Sequence, residues 1–507
     1  MNYLRFISIL SLVFTCSLAG QENDQAEQMV ISSGEAEYDG QAISLVGQVV
    51  VQHGLGKISA HRLSVMPAEQ EGQKGRFTLL KINDDILIEL QGGGQLECQQ
   101  ADIDYLKLTG NFLGNSIHPD VVYRNVGEEG QERPALVVKG HEMQVELVRQ
   151  PLPGTSIPKT LVKNVLTHQQ VRVYYNQDYL LLADRAFYER LLTAKTTAGI
   201  LNLTAQEEQP YCLLTNTNGD SIQAHSIRVD TIQRQLYLDD PKGILHIEQG
   251  KKSTQNIQFS ADGLIWNDME QFLNLKGHVS VKQDEIAQID TEHEVIIYQA
   301  QVDGKKALRS IVSPQETTMS YQDKMKELTH KILCHGQLVV DHERLITTMQ
   351  SPKDELGSIQ LDKQVYFEDA LGDIYADQVQ LFYAWKDREL VPAKIVLEGH
   401  VKLLNRFDGH FQESSSILQY ALADHVAYFP ITQEIVLSGQ NGNRVLFFDK
   451  VNNVQMSAPA LKIRRDEQNQ KSSVQGIGDV RFTFIEKELN QLRQRFSLDE
   501  NTKQEGP

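Results

Sequence analysis

The chain has 507 residues, 40% of them hydrophobic and 23% charged, and it carries a net charge of −18. That length exceeds one hydrophobic core, so several domains or a repeat array are expected, and the composition excludes a disordered chain. The acidity, together with the lack of any dense Lys/Arg run, excludes nucleic acid as a partner, because phosphate binding needs clustered cations.

Residues 1–19 read as a signal peptide. Met1 to Arg5 supplies one positive charge, Phe6 to Leu18 is apolar, and Ser17-Leu18-Ala19 offers a small-x-small cleavage site. The apolar run is shorter than the ~20 residues a spanning helix needs. Val13-Phe14-Thr15 is a poor lipobox ahead of Cys16, so a cleaved leader is expected rather than a lipid anchor. Cys98, Cys212 and Cys334 then remain, widely spaced and odd in number, which excludes a disulfide-stapled scaffold. Each lies in strand-like sequence and is expected to be a small buried residue, with one pairing among them left open.

From about residue 30 the chain is periodic. Ile43-x-Leu45-x-Gly47-x-Val49-x-Val51 alternates strictly around a central Gly, and Ile58-x-Ala60-x-x-Leu63-x-Val65 follows it. The second pattern returns with its small residue at Cys98, Gly140, Ala183, Ala224, Ala261, Ala376, Ala423 and Ala458. The Gly-centred pattern returns around Gly277, Gly399 and Gly476-x-Gly478, and Ile359 to Phe367 keeps the alternation without the Gly. The spacing is about 40 residues, and the gap between Ala261 and Ala376 is expected to hold two degenerate copies near Thr291 and Gly336.

Alternation of this kind places one face of a strand in a core and the other in water. Ile58 and Ala60 share one parity while Leu63 and Val65 share the other. Keeping all four inside needs one extra residue, a bulge or a corner; a Gly within a strand marks a bend. The expected fold is all-β: an elongated open β-jellyroll or solenoid-like stack of ~40-residue units. It is divided into regions 25–245 and 246–485. Glu486 to Phe496 reads as a short polar helix, and Ser497 to Pro507 as a disordered tail.

The two elements together resemble the OstA-like family: the periplasmic lipopolysaccharide-transport proteins LptA and LptC and the soluble N-terminal domain of LptD. The stretches that carry the resemblance best are Ile31 to Val65 and Asp373-Ile374-Tyr375-Ala376-Asp377 to Val401. The resemblance implies a twisted β-jellyroll, open along one side, whose groove holds the acyl chains of lipopolysaccharide or lipooligosaccharide. It implies a non-enzymatic bridge in the periplasm, without cofactor or metal, joined edge to edge to other bridge components at the inner and outer membranes. The unpaired terminal strands of an open roll agree with such β-augmentation. The residues that would line the groove are Val49, Val51, Ile58, Ala60, Val279, Val281, Ile374, Ala376, Val401 and Leu403. From spacing alone a filled core and a lipid groove fit these positions equally; the resemblance favours the groove. The chain is far longer than one bridge domain, so it looks like several fused, or a bridge fused to an LptC-like domain.

Enzyme signatures are weak. Asp102 and Asp104 could form a carboxylate pair, but they fall at polar positions of a repeat copy. His61 and His225 follow the repeat's Ala, and His278 and His400 follow its Gly, which is repeat equivalence rather than metal spacing. No Gly-rich phosphate loop or Gly-x-Ser-x-Gly elbow is present. The rival readings are an exported structural or adhesive β-solenoid without lipid cargo and a carbohydrate-active β-helix enzyme. Units longer than the 20 to 30 residues usual in closed solenoids favour the open roll.

Overall fold

A computed structural model describes residues 12–13 and, with short internal breaks, 30–482. The expected signal-peptide cleavage site and the expected helix at 486–496 lie outside the described residues. Among those residues a single 3-10 turn, Leu361–Lys363, interrupts a succession of β-strands, and every strand pairing is antiparallel. The chain divides into two compact units, residues 1–243 with 267–269, and 244–266 with 270–507.

Both units are built by one rule: the chain crosses and recrosses between two sheets, contributing a hairpin to each in turn. In the second unit, Val279–Gln283 pairs with Ala287–Thr291, which pairs with Thr317–Asp323, then Leu328–Cys334, then Val365–Asp369. The intervening segments make the other sheet: Phe272–Lys276, Glu294–Val302, Lys305–Ser313, Leu338–Asp341 and Ile346–Gln350 pair in that order. In the first unit Gly199–Thr204 pairs with Ser226–Asp230, while Cys212–Asn216 between them pairs in the opposite sheet with Tyr179–Arg190. Each rung of the ladder is therefore one strand, or two strands in succession, bent so that half lies in each sheet.

The bend is a column of corners. Ile43–His53, Gly56–Pro67 and Phe77–Leu90 pass through it unbroken, and their registers slip between Val46 and Val49, Ser59 and Arg62, and Asn83 and Ile86. The slip is the extra residue that the parity change at Ala60 requires. Two successive left-handed residues make the sharpest turns: Gly47 (φ +77°) with Gln48 (φ +45°), Gly277 (+69°) with His278 (+41°), and Gly399 (+72°) with His400 (+42°). The central Gly and the small residue of the repeat thus meet at one feature, since Gly47-Gln48 lies opposite His61, next to the Val49–Ala60 pair, across the same corner. Thr291 and Gly336 also fall beside the chain's passage from one sheet to the other, where the degenerate copies are expected.

Away from the corners, both sheets end in hairpin turns, such as those closed by Asp104, Asp230 and Asp341, whose carboxylates accept backbone N–H groups two and three residues on. Among the described strands no backbone ladder joins the two sheets along that side. One expectation fails locally. Residues 359–363 do not continue the strand pattern: Gln360 and the 3-10 turn precede a strand that begins at Val365. A strand there would have to run through the corner, where Gln364 is instead buried, donating its side-chain N–H to Asp377 Oδ1 at 2.8 Å and to the His400 carbonyl at 3.1 Å.

Candidate functional site

The ten residues expected to line an interior all lie on the inward face of one sheet of their unit, several as direct cross-strand partners. Val49 faces Ala60 and Val51 faces Ile58. Val281 stands between Phe259 and Ile289, and Ile374 faces Leu403. Val49, Val51, Ile58, Val279, Val281, Ala376 and Val401 are at most 3% exposed, and Ala60 is buried against its corner. Ile374 and Leu403 are only half-buried.

That difference marks a change along the interior. In the first unit the inward rows are mostly closed: Leu181, Leu201, Leu203, Leu214, Ile222 and Val229 have no measurable exposure, while Ile43 and Leu147 are half-buried. The cavity bounded there by Ile58, Ile88, Leu96, Ile103, Phe112, Val145 and Leu147 has a volume of about 10 Å³, the space of about one water. In the second unit the rows stay closed through Trp266, Leu273, Ile297 and Ile311. Further on, residues next to the corners stay sealed, among them Val365, Ala376, Val401, Val426, Leu437 and Leu461, and Leu381, Ala421, Phe447 and Met456 farther along the same rows are buried as well. Among them, half-buried residues lie nearer the turn side on both sheets, at Phe367, Ile374 and Leu403 on one and Ile395, Tyr428, Ile435 and Ile463 on the other. Inward apolar residues of partial exposure therefore occur on both sheets over residues 365–463. These half-buried residues obey the same alternation as the closed rows, so spacing alone did not distinguish them.

The corners supply the electrostatics. At Ala261-Asp262 the Asp262 backbone N–H donates to the Lys276 and Gly277 carbonyls, and His278 Nδ1 meets the Asp262 carboxylate at 2.8 Å. His278 Nε2 lies 3.1 Å from Glu292. The hydrogen bond to Asp262, with both carboxylate charges, raises the His278 pKa above its ordinary value. Ala376-Asp377 repeats the arrangement: Asp377 N–H donates to the Glu398 and Gly399 carbonyls, and His400 Nδ1 lies 2.7 Å from Asp377. These histidines tie a corner to its neighbour. Asp104 caps its own turn and pairs with Lys107, so it too is explained by local structure. Cys98, Cys212 and Cys334 are buried free thiols.

No family model and no curated protein matches the chain.

Proposed function

We propose that the protein is a non-enzymatic, exported lipid-transport bridge whose interior receives the acyl chains of lipopolysaccharide or a related lipid in the periplasm. The observation that carries this reading is the partial exposure of inward apolar residues over 365–463, Phe367, Ile374, Ile395 and Leu403 among them, which we read as an apolar cleft between two sheets whose described strand ladders meet only at the corners. Such sheets can splay on the turn side without breaking a strand ladder, so admitting a chain costs side-chain contacts and no backbone hydrogen bonds. Transfer of each methylene into the cleft is favourable by about 0.8 kcal/mol, which gives affinity for a long chain without any specific group. The repeat pattern shared with the OstA-like family supports the same cargo. Edge-to-edge contact with other bridge components is part of the proposal. Strand Glu35–Tyr38 supports it: exposed at every residue, it is described as pairing only with Ile43–His53.

A second reading, a structural β-array without cargo, is favoured by the closed interior of the first unit. The two readings separate in a retention assay. The full chain is incubated with lipopolysaccharide, freed of unbound lipid by density flotation, and analysed for bound acyl chains by mass spectrometry. Transport predicts retained lipid that is lost in Leu403→Lys, which sets a charge in the cleft. A wild-type chain that retains none, or a variant that retains as much, supports the structural array.

A further inference from the structure

The cavity of the first unit lies between its two sheets, and its walls are drawn from both. Ile58, Ile88 and Leu96 belong to one sheet, Ile103, Val145 and Leu147 to the other, and every lining residue is apolar or glycine. At about 10 Å³ it has no room for a chain while the walls stay where they are.

Followed away from the corners, three of the inward rows that wall this cavity run on to His53, Tyr105 and Arg149. His53 lies two residues beyond Val51, the cross-strand partner of Ile58. Tyr105, whose N–H continues the ladder to the Thr78 carbonyl, lies two beyond Ile103, and Arg149 lies two beyond Leu147. Residues two apart share a strand face and stand ~7 Å apart along it, which puts all three side chains on the turn-side rim of the cavity. They meet there. The Tyr105 hydroxyl lies 2.7 Å from His53 Nδ1, and the two rings pack edge to face with centroids 4.3 Å apart. The Arg149 guanidinium stacks 4.9 Å from the Tyr105 ring centre. His53 closes a hairpin of one sheet and Tyr105 begins a turn of the other. A side-chain hydrogen bond therefore spans the side of the roll where no described strand ladder does.

We propose that His53 and Tyr105 form a clasp that holds the turn side of the first unit shut over this cavity, and that its release admits an acyl chain between the sheets. The identity of the occupant rests on the function proposed above; the clasp rests on the contact between the sheets. Opening breaks a hydrogen bond and ring contacts but no strand pairing, so burial of a chain against the apolar walls can offset it.

The test is photolabelling of the full chain with a diazirine derivative of palmitate, read by peptide mass spectrometry, in wild type, Tyr105→Phe, His53→Ala and the double variant. Tyr105→Phe keeps the ring and its stacking with Arg149, so it removes the hydroxyl and leaves the packing that folding needs. Each single variant should raise labelling of segments 95–113 and 142–149 roughly fivefold, the worth of one hydrogen bond. The double variant should label no more than His53→Ala, because both substitutions break the same bond. Unchanged labelling in either single variant, or effects that multiply in the double, overturn the clasp. Labelling of 365–463 reports on the proposed function separately. Clasp-dependent labelling of the first unit with none at 365–463 supports the clasp and removes that site. Labelling confined to 365–463 in every chain overturns the clasp and leaves the proposed function standing.

Discussion

At Gly399 a Cβ would come within 2.3 Å of the Asp377 carboxylate, and the backbone there holds φ +72°. Gly399→Ala therefore meets both a conformational penalty and a clash, and should cost ~1–3 kcal/mol in a urea melt. Gly442 has a similar φ of +84° but nothing within 4 Å of an added Cβ, so Gly442→Ala should lose only about 1 kcal/mol. The corner glycines were readable in the repeat, but the aspartates that make them obligatory were not, because Asp262 and Asp377 sit 15 and 22 residues before Gly277 and Gly399 in sequence. Corners at Asp84-Asp85 and Gln169-Gln170 escaped altogether, since non-glycine residues hold the left-handed conformation there. The His278–Asp262 pair makes a pH prediction. Folding raises this imidazole's pKa, so the pair stabilises the fold in acid and its contribution fades as pH rises through the raised midpoint. Proton NMR of the His278 ring should give a midpoint above that of a free imidazole, returning toward it in Asp262→Asn. A midpoint unchanged by that substitution would remove the pair from the account. Burial pushes the Cys98 and Cys212 thiols up to about 12 and raises that of Cys334. None should react with an aromatic disulfide reagent at neutral pH until the chain unfolds, because the thiolate is the nucleophile.

Strands carry the contrast between closed and open interior. Val401 is 0% exposed and Leu403, two residues along the same face, is half-buried. Val401→Ala should therefore cost about 2 kcal/mol and Leu403→Ala, although it deletes more carbon, about 1 kcal/mol; equal or reversed losses by denaturation would mean the cleft is closed. The two-sheet plan itself was legible, because period-two alternation, a parity change and a small residue dictate a bent strand. The outward apolar residues of the C-terminal sheet, Leu446 and Phe448 opposite Leu422 and Tyr420, left a signal that alternation alone passes over: Val445-Leu446-Phe447-Phe448 and Val401-Lys402-Leu403-Leu404 are runs rather than alternations, as expected of strands covered on both sides. Depth within the cleft left no signal, since it depends on how far two sheets diverge and not on which residues face inward.

In each unit, the chain folds by adding rungs to a pair of sheets, and its interior is continuous because every rung contributes to both. The same plan accommodates the mostly closed interior of the first unit and the more exposed inward rows of the second, so the sequence pattern dictates the two-sheet plan without dictating how tightly its interior closes. In the proposed function, the turn side of residues 365–463 receives acyl chains. Photo-crosslinkers placed singly at Leu403, inside the cleft, and at His400, on the outward corner, in cells carrying labelled lipopolysaccharide test it most directly. The account predicts lipid adducts at Leu403 and none at His400; adducts at neither position, or equally at both, would contradict it.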